Sequence, residues 1–544
     1  MKRFLELRND SWLLQILASG ILLTGIAAKL LPLNDGSYGD PFHNGEFVAA
    51  LPAVVAGNMQ FFTIHGGLDW LPAWFSQKAF GAEHYFMPTL VIHASLNALA
   101  SLCLYVLVTQ LVGREDKYGA IILLVAAVMA VYVVGIRDIF LILSIGLYFL
   151  RERTWSRRYR QALEIALGLA LAANLLWSFD RGIVGIAAVG SACLFLAVFE
   201  KRYWLAIGSL AASLLAMSWA GLLSFRGYAE NLAFLFATAS QWSYGYRKFL
   251  PVFLTVMVAV PNAAAVYYAG KHLLRVARTS RSETASLFLL IAATVLMFRL
   301  ATNRADAPHV VMALWMPALT FLYLRGKYAG DVLTFVIAAV AIAMIWLAGR
   351  SRHYWYGVGA IVPAIYVIAG LRPTWVDRLT SPRVAMAALG IPLLLCHIAL
   401  ISWRHLQGGY AWMSLLPTLP ANHSLVKEDI RWVSAALLTG GARCVFDLSN
   451  SGVINGVAGL PACTRYTYPV YATRRYEADM IRQLKQSNPP VVVFSSTGWY
   501  FKIDGRSMHD RFPDLKEYLV KTYPIERCNF GHCLRYTGQR VVGQ

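Results

Sequence analysis

The chain has 544 residues, 58% of them hydrophobic and only 14% charged, and a formal net charge of +20. A soluble protein carries about a quarter charged residues, so this composition excludes an ordinary soluble enzyme and places most of the chain in lipid. The basic excess does not indicate nucleic acid, because Lys and Arg sit in short clusters between long apolar runs, which is how a membrane protein sets its topology.

In chain order, the apolar runs predict spans near 12–33, 86–112, 119–135, 138–150, 161–177, 183–199, 203–222, 249–270, 285–301, 309–324, 331–348, 356–371 and 384–402, about thirteen in all. The first is as long as a full span and lacks a small-residue cleavage site, so it reads as an uncleaved helix. The pair within 119–150 is tight, and each member is short for a core of ~30 Å. With the N-terminus cytoplasmic, the inner side receives Lys2, Arg3 and Arg8, then Arg114 and Lys117, then Arg151, Arg153, Arg157, Arg158 and Arg160. Lys201 and Arg202, Lys271 to Arg281, Arg325 and Lys327, and Arg372 to Arg383 follow on the same side. An odd number of spans then puts the C-terminus outside.

Two domains are expected: residues 1–410, multi-span with a long first outer loop (34–85), and residues 420–544, a small α/β domain outside the membrane. In the tail, Lys427–Leu438, Tyr476–Lys485 and Pro513–Lys521 read as helices. Arg443–Leu448, Pro490–Ser495 and the stretches around Ile525 and Leu534 read as strands. Cys444, Cys463, Cys528 and Cys533 show no metal-binding spacing and suggest disulfides in an oxidising compartment, Cys444 with Cys463 and Cys528 with Cys533 being the natural pairs, although sequence does not fix connectivity. Cys103, Cys193 and Cys396 lie in apolar runs and read as buried small hydrophobes.

Ionisable residues that are not topology signals gather on the outer side. The first loop carries Asp35, Asp40, His43, Glu46, His65 and Asp69. Short outer turns add Arg137 and Asp138, then Asp180 and Arg181, then Arg304, Asp306 and His309. In Asp40-Pro-Phe-His-Asn-Gly-Glu46, Pro41 suits a helix start with Asp40 as N-cap, which would put His43 and Glu46 on one face. An ordinary capped interfacial helix has the same pattern. The Arg–Asp pairs either neutralise each other or hold an anionic ligand, with Arg304 on a phosphate and Asp306 and His309 orienting it. The stretch 223–248, with Arg226, Tyr228, Trp242, Tyr244, Tyr246 and Arg247, is either an aromatic belt or a sugar- and phosphate-contacting segment. A divalent metal is chemically possible with these residue types, but no metal motif is present.

The motif Asp40-x-x-His43-x-Gly45-Glu46, the step Ile64-His65-Gly66 and the motif Arg304-x-Asp306-x-x-His309 resemble bacterial members of the GT-C glycosyltransferase superfamily. The tail segments Val445–Asn450 and Pro461–Arg465 resemble the outer domain of that group. The resemblance implies a GT-C-like polytopic enzyme that takes a sugar from a polyprenyl-phosphate carrier on the outer face of the bacterial inner membrane. It would pass that sugar to a glycan, lipid or protein acceptor, with inversion. It implies an acidic base in the first outer loop, Asp40 first, with Glu46 and Asp35 competing. Arg304, Arg181 and Arg247 would meet the carrier phosphate. His43, His65, Asp69, Asp138, Asp180, Asp306 and His309 would bind or orient substrate. No DxD motif marks a metal. The alternatives are a transporter or flippase of a lipid-linked glycan, which would carry charges at the membrane midplane, and an O-antigen-type polymerase or ligase, which would carry them in a large late loop.

Overall fold

The computed structural model describes residues 12–31, 42–112, 119–154, 156–238, 249–304, 310–324, 413–495, 502–503 and 506–538, with Leu394, His397, Ile398 and Tyr410. The chain is a helical membrane protein. Four described helices are long and apolar enough to cross a bilayer: Trp12–Leu30, Phe86–Leu111, Phe179–Glu200 and Arg281–Thr302. The expected spans at 331–348, 356–371 and 384–402 lie outside the described residues, Leu394, His397 and Ile398 apart. The two short expected spans within 119–150 are the helices Ile122–Tyr132 and Ile136–Arg153, which meet at a bend of 109°. A bend of that size occurs in a broken span and in a re-entrant pair. Trp204–Trp219, expected as a span, has 16 residues, short of the ~20 that a perpendicular span needs.

Two compact units make up the chain, each drawn from separate stretches of sequence. The first comprises Met1–Leu31, Ala94–Ala216 and Ser243–Gln407. Its helices pack where small residues let backbones approach. A side chain at Gly25 would meet Val131 on the neighbouring Gly119–Tyr132 helix, and one at Gly168 would meet the backbone of Ala206 and Leu210. Lys29 donates to Ser101 Oγ and to the carbonyls of Ala130 and Val134, satisfying the end of the Gly119–Tyr132 helix. Several expected topology cations are paired. Arg151 lies 2.6 Å from Glu164, and Arg202 meets Glu152, which also accepts from Tyr203 Oη at 2.7 Å.

The second unit comprises Pro32–His93, Met217–Trp242 and Gly408–Gln544. The segment expected as the first outer loop and the tail therefore belong to one body, whereas the expected division put them in separate domains, 1–410 and 420–544. The tail holds the helices Glu428–Thr439, Val453–Ala458, Glu477–Ser487 and Pro513–Thr522. Its strands are β1 (Val491–Ser495), β2 (Lys502–Ile503), β3 (Arg506–Ser507), β4 (Ile525–Asn529) and β5 (His532–Tyr536). β1, β5 and β4 form an antiparallel sheet in that order, with Val493 and Arg527 both opposite Leu534. Every residue of β1 is buried. The expected strand at 443–448 is reduced to single parallel bridges, Asp447 to Val493 and Val445 to Ala462. Disulfides join Cys444 to Cys463 and Cys528 to Cys533.

Three distant segments are bonded together in this unit. Phe62 N–H donates to the Arg465 carbonyl at 2.7 Å. Asn231, on the Phe225–Thr238 helix, clasps Thr63 by accepting from its N–H at 2.8 Å and donating to its carbonyl at 3.0 Å. Phe62, Phe234 and Tyr466 pack ring on ring in the core.

Candidate functional site

The described part of the Asp40 motif is not the expected N-capped helix. Phe42–Asn44 form a turn and Gly45–Phe47 one turn of 3₁₀-helix. His43 is exposed and Glu46 buried, so the two do not share a face. Asp35 and Asp40 lie outside the described residues.

Glu46 Oε1 accepts the Tyr471 hydroxyl at 3.1 Å. The neighbouring Tyr468 hydroxyl donates to the Phe42 carbonyl at 3.0 Å. Burial, followed by the negative charges of Glu46, Asp447 and Asp69 and by Tyr471, pushes Tyr468 well above the ordinary phenol value. It therefore stays a neutral donor. Asp447 is also buried; burial pushes its carboxyl up, against hydrogen bonds from Ser449 and Ser451.

His65 and Asp69 form a dyad. His65 Nδ1 is 2.7 Å from Asp69 Oδ1, while Asp69 Oδ2 accepts the N–H groups of Ile64 and His65 at 2.9 Å each. Gly66, at φ 111°, makes the tight turn that brings residues 65 and 69 together. A carboxylate on Nδ1 fixes the imidazole and leaves Nε2 for other chemistry. The sequence supplied both residues as separate candidates; the His-x-x-x-Asp spacing across two glycines is the signal that could have paired them.

In the first unit, Arg181 is committed to carboxylates. Its Nε lies 2.6 Å from Asp138 Oδ1 and its Nη1 2.7 Å from Asp180 Oδ2. Asp138 also accepts the Gly135 N–H at 3.0 Å, closing the bend between the two helices. Asp180 Oδ1 accepts from Ser178 Oγ and from Arg181 N–H. Both Asp138 and Arg181 are buried. Of the two readings of these charges, mutual neutralisation describes this geometry. Arg137 is held less tightly, at 3.6 Å from Asp180. Of the other expected phosphate and orienting residues, Arg304 ends a helix whose last side chains are not described. Arg247, Asp306 and His309 lie outside the described residues. Among the described residues, Glu526, Cys528 and Cys533 group as a metal would need, but the two sulfurs are joined in a disulfide.

The second unit also contains an open polar cleft of about 930 Å³, walled by residues 57–62, the start of the Phe225–Thr238 helix, residues 461–465 and the Glu477–Ser487 helix. Arg226, Glu230, Arg465 and Arg482 line it. Arg226 and Arg465 fall in segments already marked in the sequence. Glu230 lies in the same marked stretch as Arg226 but is not among the residues singled out there, and Arg482 had no local signal, because a polar residue on an amphipathic helix looks like a solvated one.

No protein-family model matches the chain, and no curated protein matches it. Two solved structures are similar to it in fold. The crystal structure of ArnT from Cupriavidus metallidurans bound to undecaprenyl phosphate is 12% identical, with a TM-score of 0.47, and the match covers 99% of this chain and 100% of that one. The crystal structure of the Archaeoglobus fulgidus oligosaccharyltransferase in complex with Zn and sulfate is 13% identical, with a TM-score of 0.42, covering 92% of this chain and 71% of that one.

Proposed function

We propose that the chain is a GT-C-type glycosyltransferase of the bacterial inner membrane, with its N-terminus cytoplasmic and its tail periplasmic. It would move a sugar from a polyprenyl-phosphate carrier to a glycan, lipid or protein acceptor of the cell envelope, with inversion. The observation that supports this reading best is the first-loop chemistry of the second unit. Glu46 is buried and oriented by Tyr471, and His65 is oriented by Asp69, in the same compact body as a cleft of ligand size. Two disulfides in the tail suit an oxidising compartment.

In the proposed reaction an acceptor hydroxyl attacks the anomeric carbon. The new C–O bond forms as the bond from that carbon to the carrier phosphate oxygen breaks, and the electron pair leaves on the phosphate. The hydroxyl proton passes to a first-loop carboxylate. Asp40 is the first candidate by its motif and Glu46 the second. A guanidinium stabilises the charge growing on the phosphate, most strongly where water is scarce; Arg304 and Arg247 are the candidates, together with the loosely held Arg137.

Membranes containing the protein, supplied with labelled undecaprenyl-phosphate sugars, test the reading. Label should pass to an envelope acceptor with the wild-type chain. Asp40→Asn should abolish this transfer while retaining carrier binding, because a base acts in the transition state. Full transfer by Asp40→Asn, Glu46→Gln and Asp35→Asn alike would reject a first-loop base.

A further inference from the structure

We infer that the polar cleft of the second unit binds an anionic glycan, a chain of sugar rings carrying carboxylate or phosphate groups. Its assignment as the acceptor rests on the transferase reading above; the binding chemistry does not.

The first argument is charge. Three guanidiniums line the cleft against one lining carboxylate, Glu230. The Arg226 side chain is 89% exposed and that of Arg482 69%, so their N–H forks remain open to solvent although each touches a carboxylate, Glu230 and Asp479 respectively. An arginine fork matches carboxylate and phosphate in two parallel hydrogen bonds.

The second argument is preorganisation. Arg465 lies 4.7 Å over the Phe62 ring and 5.6 Å over Tyr466. It is anchored from the side by Asp479 at 3.3 Å. Stacking and ion pairing together hold its guanidinium plane in place, which lowers the entropy cost of binding. The Cys444–Cys463 disulfide ties down the segment just before it.

The third argument is size and lining. At about 930 Å³ the cleft is at the upper end of the ~300–1,000 Å³ typical of small-ligand pockets, far larger than one inorganic anion requires. Its exposed amides, Gln60 and Gln486, suit sugar hydroxyls rather than a lipid chain.

The test uses the full chain in lipid nanodiscs, with tetragalacturonate as the acidic probe, maltotetraose as the neutral one and inorganic phosphate as the bare anion. Tetragalacturonate should bind at least ~10-fold more tightly than maltotetraose and weaken as salt rises. Arg226→Gln and Arg482→Gln change side chains that are mostly exposed, and each should weaken binding roughly 3- to 10-fold. Glu230→Gln should strengthen it. Equal binding of the two oligosaccharides would overturn the proposal. So would phosphate competing at the same concentration as tetragalacturonate, or unchanged binding in both arginine variants. Glu46→Gln should bind the probe like the wild type. Probe binding without any sugar transfer would reject the transferase reading alone; transfer without probe binding would reject the cleft alone.

Discussion

The Tyr471 hydroxyl donates to Glu46 at 3.1 Å across 425 positions of the chain. The tail thus orients a carboxylate of the first long loop, and both side chains are buried. Tyr471→Phe removes that donor and leaves the ring. It should lower unfolding stability by ~1–3 kcal/mol, the usual cost of depriving a buried acceptor, read by thermal unfolding in detergent. Turnover should fall partially, and Glu46→Gln should reduce it further. If Tyr471→Phe alters neither stability nor turnover, the bond does not orient Glu46.

Arg181 makes the opposite case, a cation held by its own protein. Removing one partner of a buried ion pair strands the other charge, so Arg181→Ala should cost ~3–5 kcal/mol of stability. Asp138→Asn should be destabilising too, and Asp138→Asn combined with Arg181→Met should cost less than the two single changes added together. Carrier affinity should not fall selectively in any of them. A stable Arg181→Ala protein that has lost only carrier binding would restore the phosphate role for this residue.

These two pairs show what the sequence could and could not convey. Apolar runs mark helices well, since period and length are local properties, and the three expected tail helices begin and end within a residue or two of where patterning puts them, while the short helix Val453–Ala458 is unexpected. Partner choice is not local. Nothing around Glu46 points to Tyr471, nothing around Phe62 points to Arg465, and although Asp180 beside Arg181 is visible in the sequence, nothing local brings in Asp138, 43 positions away. The same limit explains the domain division: a change in composition marks the tail, but the hydrogen bonds that tie residues 62 and 63 to 465 and 231 have no signature in composition. The helix expected after Asp40 follows a real capping pattern, yet the chain turns at Phe42–Asn44 so that Gly45 packs against Gly452 and Tyr468, where a side chain would not fit.

Glu477 predicts a pH effect. Burial first, then the nearby Asp514 charge, holds its carboxyl above the usual range, despite the hydrogen bond from Leu515 N–H at 2.7 Å. The folded protein therefore binds this proton more tightly than the unfolded chain does. That contribution to stability is full below the unfolded value near 4.5 and is lost as pH rises through the higher folded value. Glu477→Gln can still accept from Leu515 and has no charge to bury. It should flatten the fall in stability between acid and neutral pH and raise stability at pH 7, measured by thermal unfolding across that range. A mutant whose pH profile overlays the wild type would show that Glu477 is not the group responsible.

The 109° bend is compatible with two topologies. If the helices Ile122–Tyr132 and Ile136–Arg153 are one broken span, the segments before and after them lie on opposite sides of the membrane. If each runs in and back, both segments lie on the same side. The charges favour the second arrangement, because Arg114 and Lys117 precede the pair and Arg157, Arg158 and Arg160 follow it. The bend itself carries Arg137 and Asp138, and the buried ion pair of Asp138 with Arg181 suits the polar apex of a re-entrant pair better than the middle of a lipid-exposed span. Reporter fusions after Lys117 and after Arg158 should both read cytoplasmic, and one after Asn450 should read periplasmic. Opposite readings at Lys117 and Arg158 would make the pair a single span. The parity of the thirteen expected spans would then change, and the tail with its disulfides would be expected on the same side of the membrane as the N-terminus.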